Sequence, residues 1–99
     1  MLTITKKQAG TALTIALEGR LDTNTAPRLD AELKSSLGGV TELTLDFEKL
    51  VYLSSAGLRT VLSAQKQMNR QGVMKVCHVN ETVMEVFRLT GFSKILTIV

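Results

Sequence analysis

A chain of 99 residues with a net charge of +3 and one cysteine excludes a multidomain architecture, an internal disulfide and a deep buried substrate cavity. Hydrophobic residues make up 44% and charged residues 21%, the balance of a globular fold, while 4% aromatics and no tryptophan require an aliphatic core. The basic residues are scattered, with no run longer than the pair Lys6-Lys7, which argues against the concentrated positive face of a nucleic-acid binder. No apolar run approaches the about 20 residues that span a bilayer, and the opening residues lack the charged-then-apolar plan of a signal peptide. With its single thiol at Cys77, the chain suits a reducing compartment. The expectation is one cytoplasmic domain, residues 1–99, with neither membrane nor nucleic acid as partner.

In chain order, Leu2 and Ile4 alternate with polar residues and predict a strand, turned by Gln8-Ala9-Gly10 into a hairpin partner. That partner runs from Ala12 to Glu18 with Leu13, Ile15 and Leu17 on one side, and Gly19 ends it. The small polar loop Asp22-Thr23-Asn24-Thr25 leads into a helix with Pro27 in its first turn. Ala26, Leu29, Leu33 and Leu37 recur at helical spacing, and Gly38-Gly39 closes the element.

Val40 to Phe47 alternates as a strand, followed by a short apolar patch, Leu50 to Leu53. A second helix starts at Ser54-Ser55, with Ser55 as its cap. Leu58, Val61, Leu62, Gln65 and Met68 mark the inner face of this helix, and Gly72 stops it. Val73 to Val79 reads as a strand, Asn80 caps a third helix ending at Gly91, and Lys94 to Val99 reads as a last strand. The order β-β-α-β-α-β-α-β predicts an α/β fold: a mixed, mostly parallel sheet with an N-terminal hairpin and helices packed on it, joined by right-handed crossovers.

Little in the chain suggests catalysis. The only histidine, His78, lies near a strand end with no obvious orienting group beside it, and reads as a surface residue. Cys77 and His78 alone do not make a metal site, and no glycine-rich phosphate loop is present. Asp22, Asp46 and Glu48 read as loop and surface carboxylates. Neither a catalytic residue, a cofactor nor a metal is expected.

The informative stretch is Tyr52-Leu53-Ser54-Ser55-Ala56-Gly57-Leu58-Arg59. Two hydroxyls stand where an extended segment turns into a helix, and the small Ala56 and Gly57 leave the first turn bare for another surface. Phosphate on Ser55 would add roughly −1.5 to −2 charges at the positive end of a helix dipole. The fold would tolerate it, and a bound partner would sense it. On chemistry alone, two readings stay open: a plain helix cap and a phosphorylated interface.

Ser54-Ser55-Ala56-Gly57-Leu58, set between strand and helix, resembles the signature of the STAS domain family. Glu18-Gly19-Arg20-Leu21-Asp22 is similar to the segment before the family's first helix, Leu43 to Phe47 to the strand ahead of the signature, and Gln71-Gly72 with Val73 to Val79 to the next step. The resemblance covers nearly the whole chain. It implies a stand-alone anti-sigma factor antagonist; separately, the absence of a coiled-coil repeat predicts a monomer when free. Such a domain binds an anti-sigma factor that is also a serine-protein kinase, is released on phosphorylation and is reset by a serine phosphatase.

By the same resemblance Ser55, two residues before the signature glycine, is the phosphoacceptor. The partner surface comprises Asp22, Thr23, Asn24, Thr25, Ser54, Ser55, Ala56, Gly57 and Arg59. Asp22 also fits a turn-stabilising role, and Arg59 also fits plain solvated helix surface. Two features depart from the family pattern. Ser54 replaces the usual acidic residue, and Val99 ends the chain where many relatives continue into another helix. Two rival roles are a subunit that stabilises a transporter ATPase and an enzyme with Ser55 as nucleophile. The first predicts co-purification with an ATPase and no phosphate on Ser55; the second predicts labelling of Ser55 by an acylating probe.

Overall fold

A computed structural model describes all 99 residues, Met1–Val99. Four strands form one sheet in the spatial order β1-β2-β3-β4: β1 (Leu2–Ala9), β2 (Ala12–Leu21), β3 (Glu42–Leu53) and β4 (Val73–Cys77). The β1–β2 pair is antiparallel, and β2–β3 and β3–β4 are parallel. Helices α1 (Ala26–Ser36), α2 (Ser55–Asn69) and α3 (Glu81–Thr90) fill the intervals between and after the parallel strands. This is the expected mixed sheet with its N-terminal hairpin. The hairpin turn falls at Gly10-Thr11, between the paired Ala9 and Ala12.

Period-two alternation explains why one face of the sheet is buried. Leu13, Ile15 and Leu17 of β2, Leu43, Leu45 and Phe47 of β3, and Met74 and Val76 of β4 point inward. They join Leu29 and Leu33 of α1, Val61 and Met68 of α2, and Val83 and Phe87 of α3 in one apolar cluster. Phe47 and Phe87 meet at 6.3 Å between ring centroids, a tilted pair where sheet and α3 lock together. Met84, beside Phe87 on α3, is only half-buried. The opposite face is open: Thr5, Ala16, Asp46 and Cys77 form one cross-strand row along it.

Besides β4, which stops at Cys77 short of Val79, three boundaries differ from the sequence reading. First, β3 begins at Glu42 and runs on to Leu53, because the apolar patch after Phe47 belongs to the same strand. Two register shifts against β2 insert an extra residue each into β3, so Glu48 and Lys49, then Val51 and Tyr52, turn outward in pairs and the alternation is lost. Second, Gly19 does not end β2. It lies within the strand at φ +105, and a Cβ there would sit 2.2 Å from the Met1 carbonyl oxygen. Third, the last strand is reduced to one parallel bridge between Val76 and Ile98, preceded by a 3₁₀ turn over Phe92–Lys94. No helix is long and apolar enough to cross a membrane.

Truncating the buried Phe87 leaves a cavity beside Phe47, and Phe87→Ala should cost about 3–5 kcal/mol. Urea unfolding followed by circular dichroism checks this; a loss under about 1 kcal/mol would contradict the packing described.

Candidate functional site

The C-terminal ends of β2 and β3 meet the N-terminus of α2. Ser54 is still extended, at φ −92 and ψ 173, and its backbone N–H donates to the carbonyl of Leu21 at 2.9 Å. Its hydroxyl accepts the N–H of Gly57 at 3.2 Å, and its carbonyl accepts the N–H of Leu58 at 2.9 Å. The cap is therefore Ser54, which corrects the assignment of that role to Ser55. The physical reason is the backbone: a cap needs an extended conformation, and Ser55 is already the first helical residue. Ser55 is exposed, and its hydroxyl makes no hydrogen bond within the chain.

Gly57 also needs correcting. It is buried and faces inward, where a Cβ would lie 2.8 Å from both the Leu21 and Leu53 side chains and 2.9 Å from the Leu21 carbonyl oxygen. Its smallness seats α2 against the ends of β2 and β3 instead of baring a surface for a partner. Ala56 is half-buried beside it.

The loop leaving β2 is held by its own side chains. The Asp22 carboxylate accepts the backbone N–H groups of Asn24 at 3.0 Å and Thr25 at 3.1 Å, an Asx turn. Partial desolvation pushes the Asp22 pKa up, but these bonds from Thr25 and Asn24 outweigh it and leave it below the ordinary aspartate value. Thr25 occupies the cap position of α1 without capping it. Its hydroxyl turns back, accepting from the Asp22 N–H at 2.9 Å and donating to the Arg20 carbonyl at 2.8 Å. Because Thr25 is buried, its side chain positions the loop from the inside. Thr23 and Asn24 are exposed.

Thr23 and Asp30 from the α1 side and Ala56, Arg59 and Thr60 from α2 line one shallow hollow. Thus the structure gathers Thr23, Ala56 and Arg59 and displays Asn24 and Ser55 nearby in the chain, while Thr25 and Gly57 work from inside. Sequence reading missed an adjoining feature. Arg20 stacks over the Tyr52 ring at 4.2 Å, with its Nε 3.8 Å from the Asp22 carboxylate. The two residues are cross-strand neighbours only because of the second register shift in β3.

The histidine has an orienting group after all. Asp46, directly across from Cys77 in the β3–β4 register, meets His78 Nδ1 at 2.9 Å. That bond, and the Asp46 charge with it, raises the His78 pKa above its usual value. Neither Ser54 nor Ser55 is among the partners of His78.

The model of the STAS domain family matches residues 3–99. The chain belongs to the STAS domain family. Among curated STAS-like relatives, a Bordetella bronchiseptica protein named as an anti-sigma factor antagonist, BtrV, is 38% identical over 88 residues, covering 87% of this chain and 76% of that protein. Among solved structures, an anti-sigma factor antagonist from Mycobacterium paratuberculosis superposes with a TM-score of 0.90 at 18% identity, over 99% of this chain and 85% of that one. The antagonist SpoIIAA in its unphosphorylated form gives a TM-score of 0.78 at 21% identity, over 98% of this chain and 87% of that one. These structural likenesses establish the STAS fold for the arrangement described above.

Two outcomes follow for this STAS site. Ser54→Ala removes the cap and should cost about 1 kcal/mol, whereas Ser55→Ala should stay within about 0.5 kcal/mol of the parent in thermal melts. The reverse ranking would return the cap to Ser55. The folded-state pKa of Asp22 is depressed, so its turn stabilises the native loop above the ordinary carboxylate range and loses that contribution as pH falls through the folded value. An NMR titration of the Asp22 carboxyl should place its midpoint below that of a free aspartate; a midpoint at or above it would contradict the Asx turn.

Proposed function

We propose that this chain is an anti-sigma factor antagonist that docks an anti-sigma factor with serine-kinase activity and is released when that kinase phosphorylates Ser55. The observation that carries the reading is the Ser55 hydroxyl, exposed and without an intramolecular partner at the first position of α2. The 38%-identical relative, named as an anti-sigma factor antagonist, supports the partner class. SpoIIAA, a protein with the same fold, is known in a phosphorylated form, which supports a modification cycle.

The chemistry of the switch lies on the surface. A phosphoryl group transferred from ATP to Ser55 Oγ adds roughly −1.5 to −2 charges. There it faces the positive end of α2, so the scaffold tolerates it. Arg59, one turn further along α2, supplies a cation on the same stretch of helix. The partner bears the consequence, meeting added bulk and charge between the Asp22 loop and the start of α2. A serine phosphatase restores the binding form. Dependence on ATP and a kinase assigns the exchange to the cytoplasm.

Pull-down with the cognate anti-sigma factor tests this. Ser55→Ala should bind as the parent does and resist modification, while Ser55→Asp should lose about tenfold or more, a like-charge and desolvation effect of about 1.4 kcal/mol or above. Equal binding by all three proteins would remove the switch.

A further inference from the structure

The open face of the sheet carries a second constellation, made of residues that the partner reading does not use. Asp46 and Cys77 stand opposite each other on β3 and β4, both on the uncovered face. A third side chain joins them through an unusual backbone. If β4 continued in extended form, residue 78 would point inward like Val76. Instead His78 adopts φ +57, a left-handed conformation uncommon for a side chain with a Cβ. The turn places its imidazole against the outer-face pair, with Nδ1 2.9 Å from Asp46 Oδ1 and 3.6 Å from Cys77 Sγ. Carboxylate oxygen, thiol sulfur and imidazole nitrogen all lie within 4.8 Å of one another. Glu48 Oε1, on the same edge of β3, is 3.9 Å from the imidazole.

We propose that Asp46, Cys77 and His78 form a binding site for one borderline-soft divalent ion of the zinc class, with Glu48 or water completing a tetrahedron. The donor set fits that chemistry. Zinc-class ions take thiolate sulfur at about 2.3 Å and imidazole nitrogen or carboxylate oxygen at about 2.0–2.2 Å. Tetrahedral ligands at those lengths stand roughly 3.3–3.6 Å apart; the Nδ1–Sγ pair has that spacing at 3.6 Å, while the Asp46 carboxylate, 2.9 Å from Nδ1, moves by a few tenths of an ångström once the ion replaces the hydrogen bond. A hard ion such as magnesium would not select a thiol.

Binding releases the Cys77 thiol proton to solvent; the proton on His78 Nδ1 also leaves that nitrogen, to solvent from the imidazolium or to Nε2 from the neutral ring, so that a thiolate and a neutral imidazole serve as ligands. The ion replaces the Nδ1–H bridge to Asp46, and it gathers the negative charges of Asp46, Glu48 and the thiolate about one cation. His78 is 58% exposed and Glu48 68% exposed, so the ion can enter from solvent without opening the core. Two residues on, Asn80 caps α3, its side-chain Oδ1 accepting the Val83 N–H at 2.9 Å and its Nδ2 donating to the Leu50 carbonyl at 2.7 Å. That double tether fixes the chain just beyond His78, so the site is held by strand on one side and helix on the other.

Cobalt(II) titration of the full chain tests the site without reference to any anti-sigma factor. The expected result is a near-ultraviolet thiolate-to-cobalt charge-transfer band saturating at one equivalent, with tetrahedral-type visible bands, reversed by zinc. Cys77→Ser should abolish the charge-transfer band. His78→Ala and Asp46→Asn, each confirmed folded by circular dichroism, should weaken binding by at least the about tenfold seen when even outer-shell partners of a metal are lost. Absence of the band in the parent chain overturns the proposal. So does a band of equal affinity in parent, His78→Ala and Asp46→Asn, since that describes a lone surface thiol.

Discussion

The carbonyl of Leu21 is the point on which the functional surface turns. It accepts the Ser54 N–H, and with the Leu21 side chain it forms the wall that any Cβ at position 57 would strike. A side chain there would lift α2 away from β2 and break the Ser54 bond. With α2 seated, Ser54 spends its hydroxyl on the Gly57 N–H, and the next residue along must carry its own hydroxyl outward. The Asp22 turn starts immediately after Leu21, so one residue sets both halves of the exposed surface.

This arrangement separates the proposed switch at Ser55 from the scaffold. The loop is fixed by short bonds among Arg20, Asp22, Asn24 and Thr25, and α2 is fixed by its cap and its close approach to the sheet. A charge added at Ser55 therefore meets a surface that is already organised and a helix end that favours anions. Under the proposed function, such a modification would act on association more than on folding. Ser55 itself is exposed and is not part of the buried apolar cluster.

Much of the fold was legible because most elements obey simple periods. The hairpin, the three helices and the short strand β4 follow from alternation or helical spacing, and Asn80 caps α3 as its residue type suggests. What was illegible had local causes. Two bulges in β3 turned adjacent residues outward together, so a 12-residue strand read as a shorter strand plus a patch. Ser54 and Ser55 are chemically the same, and only backbone conformation distinguishes the cap from the displayed hydroxyl. A glycine at position 57 signals either openness or close packing, and sequence does not say on which side. Asp46 lies 32 positions before His78, a pairing that only sheet register reveals.

The central claim is that one hydroxyl is committed to the fold and its neighbour is offered to a kinase. Peptide-mapping mass spectrometry after incubation with the cognate anti-sigma factor kinase and ATP tests it most directly. The expected result is a single phosphoryl group on Ser55 with Ser54 unmodified. Phosphate on Ser54, or a chain left wholly unmodified by that kinase, would contradict it.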